Sequence, residues 1–163
     1  MTTRVETFQD IRDEFEAYIG DIVYATMVTV DGKGRPRSRV LIPVWEIVDG
    51  NPVGWLATFR TPIKEAHLAA NPHAAFAYWT RKQNQVHADV VAEGVPFDDL
   101  MTRQHVWDLY EQTSPKGAGY PLRNFWQGID DPALRILRLS PWRIQVIRGR
   151  DLRSKLWRAA AEE

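Results

Sequence analysis

Apolar positions recur along the chain with two periods, and the changes between them mark out the elements. From Thr7 to Ile19 the period is helical. Phe8, Ile11, Phe15, Tyr18 and Ile19 share one face, Thr7 is a candidate cap with Asp10 as its reciprocal acceptor, and Gly20 is the expected stop. Ile22 to Val30 is a β-branched run that predicts a strand, and Asp31-Gly-Lys-Gly34 after it predicts a tight hairpin. A second strand is expected from Pro36 to Val48, with Pro43 marking a bulge or an edge. Asp49-Gly-Asn-Pro52 predicts another turn, and Val53 to Thr58 a third strand. A helix follows, with Thr61 as N-cap, Pro62 in the first position and Asn71-Pro72 as the stop. His73 to Thr80 and Gln85 to Val95 read as strands around the turn Arg81-Lys-Gln-Asn84.

The second half is less regular. Pro96 to Gln112 predicts a helix with Phe97, Leu100, Trp107, Leu109 and Tyr110 inward, and the Pro- and Gly-rich Thr113 to Leu122 predicts a flexible loop of the kind that covers sites. Leu134 to Leu139 and Trp142 to Arg148 predict strands broken at Pro141. Asp151 to Ala160 reads as a basic, helix-favouring tail carrying Trp157. Strands joined by tight turns, with helices inserted, predict a mainly β architecture: an antiparallel barrel flanked by helices, formed by one domain over residues 1–163.

Composition narrows the function classes. The 163 residues carry 21 basic and 21 acidic side chains, which argues against nucleic acid or a membrane surface held by bulk charge. With no cysteine there is no thiolate ligand or nucleophile. No apolar leader or spanning run is visible, so a cytoplasmic protein is expected. His67, His73, His87 and His105 have no zinc-ligand spacing, so no metal site is expected, and no serine lies in a nucleophile elbow.

One stretch has chemistry that does not fit a bland surface. Lys64 falls at the third position of the helix that starts at Pro62, beside the positive end of the helix dipole, with Arg60 just upstream. A cation there is unfavourable by roughly 0.3–1 kcal/mol. An anion at the helix start reverses the sign, because free N–H groups, the Thr61 hydroxyl and two cations then converge on it. Alternation along Arg35-Pro-Arg-Ser-Arg-Val-Leu-Ile42 puts Arg35, Arg37, Arg39 and Leu41 on one face and Ser38, Val40 and Ile42 on the other. Arg39 borders the apolar run and could complete a phosphate clamp.

The order of these pieces resembles the pyridoxamine 5′-phosphate oxidase-like family of flavin-binding split β-barrels. The pieces are Arg39-Val-Leu41, a strand ending in Thr58, Lys64 six residues later, Asn71-Pro72, and Gln85 leading Gln-Val-His-Ala-Asp-Val-Val-Ala-Glu-Gly94. Leu134 to Val146 resembles the family's closing strands. The resemblance implies a homodimer with FMN at the subunit interface. Arg39, Val40, Leu41 and Ile42 would line the flavin, Ala57 and Thr58 would contact its ring or phosphate region, Lys64 and Thr61 would hold the phosphate, and Gln85 would reach the cofactor. The sequence departs from the family pattern at Pro62-Ile-Lys64, where Ser-Arg-Lys is usual, and Arg60 is the available replacement cation. The Arg-x-His that the true oxidases carry near the C-terminus is missing, which argues against pyridoxamine phosphate as the substrate.

The expected function is therefore that of an FMN-dependent oxidoreductase acting on another small molecule. The alternatives are a reductase using the deazaflavin coenzyme F-420, whose acidic tail would suit Arg37, Arg39, Arg60 and Lys64, and a non-catalytic flavin or haem binder. Trp126, Trp142 and Trp157 are candidates to stack on the cofactor or a partner subunit, with core packing expected for at least two of them.

Overall fold

The computed structural model describes residues 1–113 and 120–160. Along the described chain run β1 (Thr2–Arg4), α1 (Arg12–Ile22), β2 (Ala25–Val30), β3 (Pro36–Leu41), β4 (Val44–Val48) and β5 (Asn51–Phe59). Then come α2 (Pro62–Ala70), β6 (His73–Trp79), β7 (Gln85–Gly94), α3 (Leu100–Thr113), β8 (Leu134–Ile147) and β9 (Ser154–Arg158). The sheet order is β1-β9-β8-β7-β6-β2-β3, with β4 and β5 off that path. β7 lies along the length of β8, whose other edge pairs first with β5 and then with β9. One long strand thus serves two parts of a split barrel. The pairings are antiparallel except β1 with β9, which is parallel.

β5 separates two cores. Residues 52–58 are buried without a break, so this strand alternates between cores rather than between core and water. Leu56 joins Phe8, Ile11 and Phe15 from the start of the chain and Met27, Phe76, Val86 and Ile144 from the barrel strands. Trp55 and Ala57 join Val106 and Tyr110 of α3, with Trp126, Leu134 and Ile136. Gly54 is needed where β5 passes under Trp45, since a Cβ there would come within 2.8 Å of the indole.

Several boundaries differ from expectation. α1 continues through Gly20 to Ile22 and follows a separate 3-10 turn at Phe8–Asp10, where the Thr7 amide and hydroxyl both donate to the Asp10 carboxylate at 2.9 Å. The β-branched run accordingly starts pairing only at Ala25. The strand expected from Pro36 to Val48 breaks at Ile42-Pro43, where the chain leaves β2 and joins β5. The kink turns Ile42 inward to 4 % exposure instead of onto the face of Val40. Pro141 does not break β8: it stays in register with Val90, and the ladder absorbs the irregularity as a bulge beside Trp142. α3 starts at Leu100, with the Asp99 carboxylate accepting from the Thr102 amide. Its buried residues are Arg103, Val106 and Tyr110, whereas Phe97 and Leu100 are exposed. The expected loop from Thr113 to Leu122 falls largely on residues 114–119, outside the described ones.

The tail is the largest correction. It forms a strand, not a helix, because β8 offers it an edge and the turn at residues 148–153 folds it back. Tertiary pairing overrides the helix propensity of Lys, Arg and Ala here. Trp157 enters the first core edge-on to Phe8, with ring centroids 5.6 Å apart. Trp126 is also core, while Trp142 is half-buried beside His73. Trp157→Ala should therefore cost about 3–5 kcal/mol in urea denaturation. A loss below about 0.5 kcal/mol, as for an exposed surface position, would contradict this placement.

Candidate functional site

The C-terminal end of β5 delivers Thr58 to the start of α2. Thr61 is extended (φ −122°, ψ 137°), its carbonyl accepts the first helical bond from the Glu65 amide at 3.0 Å, and Pro62 fills the first position without a donor to satisfy. The Thr61 hydroxyl makes no capping hydrogen bond, so the first-turn N–H groups have no side-chain acceptor among the described residues.

Lys64 does not reach into solvent. It turns back under the helix start, is only 6 % exposed, and donates from Nζ to Thr58 Oγ1 at 2.8 Å and to the Phe59 carbonyl at 2.9 Å. Arg39 of β3 approaches from the inner face of the barrel, shared with its ladder partner Met27. Its Nη1 donates to Thr29 Oγ1 at 2.8 Å. That oxygen lies 3.1 Å from Nδ1 of His67, also on α2. Thr29 Oγ1 thus bridges Arg39 of β3 and His67 of α2.

Glu65, next to Lys64, is committed to Arg135 at 3.0 Å, and among the described residues neither Lys64 nor Arg39 makes an ion pair. Burial and then the nearby Arg39 charge pull the Lys64 ammonium below its ordinary value of 10.5, with Glu65 opposing. Burial likewise lowers Arg39. The arrangement is a pair of positive charges beside an uncapped helix start, which can receive an anion.

Tyr110 fixes the frame around this site. From the second core its hydroxyl donates to the Ile42 carbonyl at 2.6 Å and accepts from the Ala57 amide at 3.0 Å. One side chain on α3 therefore joins the β3–β4 crossover to β5. No pattern of apolar positions shows that role; its signal is the tyrosine hydroxyl on a helix face otherwise read as core.

The remaining sequence candidates divide by location. Ala57 and Thr58 are buried at 1 % and 3 % exposure. Leu41 is half-buried on the Arg39 face, whereas Val40 points outward and is 62 % exposed. Arg60 and Thr61 are exposed, and the Arg60 charge is felt by buried Arg103 rather than by Lys64. Gln85 is not brought to Lys64 within this chain. It alternates with core residue Val86, so it faces the outer side of the sheet, where its Oε1 meets His87 Nε2 at 3.1 Å. No group of three metal-ligating side chains occurs among the described residues, and no helix there is long and apolar enough to cross a membrane.

A family model described as pyridoxamine 5′-phosphate oxidase matches residues 11–148. The pyridoxine/pyridoxamine 5′-phosphate oxidase of Pseudomonas entomophila is 32% identical over 94 residues, which is 57% of this chain and 39% of that protein. The chain thus matches about two fifths of the length of this relative. A Clostridium acetobutylicum protein related to general stress protein 26 has the same fold, with a TM-score of 0.69 and 18% identity over 94% of this chain and 97% of the other. A haem-binding protein from Mycobacterium smegmatis also shares it, with a TM-score of 0.59 and 18% identity over 85% of this chain and 54% of the other.

The Lys64 site generates a pH prediction. The folded chain releases the Lys64 proton at lower pH than the unfolded chain does, so the buried charge opposes folding below the depressed value. Wild type should gain stability relative to Lys64→Met as pH rises through that value towards 10.5. Urea denaturation of both proteins between pH 7 and 10.5 checks this, and a constant or opposite difference would count against the site's electrostatics.

Proposed function

Because the chain belongs to the pyridoxamine 5′-phosphate oxidase family, we propose that it binds FMN and acts as an FMN-dependent oxidoreductase on a small molecule other than pyridoxamine phosphate. The observation that carries this reading is a cation pair with no carboxylate partner among the described residues, buried Lys64 and half-buried Arg39, at an uncapped helix start. A phosphate monoester fits such a set: it brings negative charge and several acceptor oxygens to donors that are already oriented. Lys64, Thr61 and the first amides of α2 would hold the phosphate. Thr58 keeps Lys64 in position, and Arg39 adds charge from β3. Arg60, exposed at the same turn, would complete the rim.

FMN, when bound, supplies two-electron redox chemistry that amino-acid side chains lack. The chain's own residues then bind, orient and shield. Arg39, Leu41 and Ile42 would line the ring edge, and Ala57, buried and tied to Tyr110, would close its floor. No acid or base is compulsory for the transfer, which suits a site built from Thr, Lys and Arg.

The proposal includes a homodimer. The outer sheet face bears Val28, Val40, Ala75, Ala77 and Trp79, and among the described residues no helix packs over the exposed Val40 and Trp79. A second copy on this face would cover them. It would also resolve the position of Gln85, which faces away from its own Lys64 and would meet the cofactor of the other protomer. The second reading, F-420, draws on the exposed Arg37 and Arg60, which could follow a longer acidic tail. Haem binding draws on solved relatives of the same fold.

The test is the visible spectrum of the purified protein, followed by titration of the cofactor-free form with FMN, F-420 and haem. FMN should bind and Lys64→Ala should weaken it about 10- to 100-fold, the range for losing a charge-assisted hydrogen bond. Tight binding of F-420 or haem alone would replace the FMN reading with the corresponding alternative.

A further inference from the structure

A cavity lies beside the β3–β4 crossover. It has a volume of about 290 Å³ and lies between the last turns of α1, the crossover and the end of α3. Ile42, Pro43, Val44 and Tyr78 form a buried floor, and Glu16 and Gly20 lie at an exposed rim. An apolar cavity of about 150 Å³ takes a benzene ring, so this space suits one or two rings.

Three features of the chain favour keeping this space open. The first is Gly20. Glycine is among the poorest residues inside a helix, yet Gly20 has ordinary helical φ and a Cβ on it would meet nothing within 4 Å. Neither a turn nor a close backbone contact requires it, and a side chain at this position would project into the open space. The second is Val23, a β-branched residue at φ 68° and ψ −46°, with the Tyr24 amide bonded to the Ile22 carbonyl at 2.8 Å. That is a strained three-residue turn, and it lies in the cavity wall. The third is the Tyr78 hydroxyl, 1 % exposed, which accepts from Trp45 Nε1 at 2.8 Å. Its own proton has no acceptor among the described residues.

We propose that this cavity binds a flat, uncharged molecule of one or two rings that carries a hydrogen-bond acceptor, such as an aromatic carbonyl compound, with the acceptor on Tyr78 Oη. The charge state follows from the lining. Among the described residues no basic side chain borders the cavity, which disfavours an anion, and the Glu16 carboxylate is already paired with Arg12 at 2.9 Å, which leaves little attraction for a cation. The inference does not rest on the flavin reading, although Ile42 borders both sites.

The test uses the purified full chain without added cofactor. Binding of 2-methyl-1,4-naphthoquinone and of 2-methylnaphthalene, the same shape without the acceptors, is measured by equilibrium dialysis. The chain has no cysteine for the quinone to alkylate. The quinone should bind at least tenfold more tightly than the hydrocarbon, and Tyr78→Phe should remove that difference. Gly20→Leu should weaken both ligands at least tenfold while Tm stays the same or rises, because the substitution improves the helix as it fills the space. Lys64→Met should bind the quinone as wild type does. No binding to wild type, or undiminished binding to a folded Gly20→Leu protein, would overturn the proposal.

Discussion

The interaction on which the site depends is that of a buried ammonium with a hydroxyl and a carbonyl. Lys64 leaves water, finds Thr58 and Phe59, and finds no carboxylate among the described residues. Two hydrogen bonds take two of its three protons but do not neutralise its charge, and Arg39 nearby raises the local potential further. A protein that needed only a lid for its barrel could place an aliphatic side chain there. A bound anion would reverse the cation's effect on stability, and α2 presents its amides and dipole to the same place.

The rest of the fold holds that arrangement in place. β5 is buried on both faces, so its end cannot move without disturbing two cores. Tyr110 ties the same strand to the crossover after β3, which carries Arg39. The Thr29 hydroxyl joins Arg39 to His67 on α2. The two cations therefore sit on elements linked by hydrogen bonds from three directions. Such a frame keeps binding groups oriented before the ligand arrives.

Much of this was legible in the chain because its signals are local. Asp31-Gly-Lys-Gly34 closes its hairpin through the Asp31 carboxylate, which accepts from the amides of Lys33 and Arg35, and Pro62 starts its helix where it should. Lys64 stood out because its charge opposes the helix dipole. What was not legible depends on contacts far apart in sequence. The residues from Ser154 to Arg158 favour a helix until β8 offers an edge, and Arg103 reads as a surface residue until the Ile129 and Leu134 carbonyls take its protons. The inward turn of Ile42 and the continuity of β8 through Pro141 are set by neighbouring strands, not by the prolines alone. The face on which Gln85 lies became clear only once the alternation of β7 was anchored by Val86 in the core.

The most direct test of the account compares FMN with riboflavin, which has the same ring system and lacks the phosphate. If the Arg39–Lys64 pair is an anion site, FMN binds at least 100-fold more tightly at low salt, and the advantage shrinks as ionic strength rises. Equal affinity for the two flavins, insensitive to salt, would show that this cation pair does not serve a phosphate and would contradict the central claim.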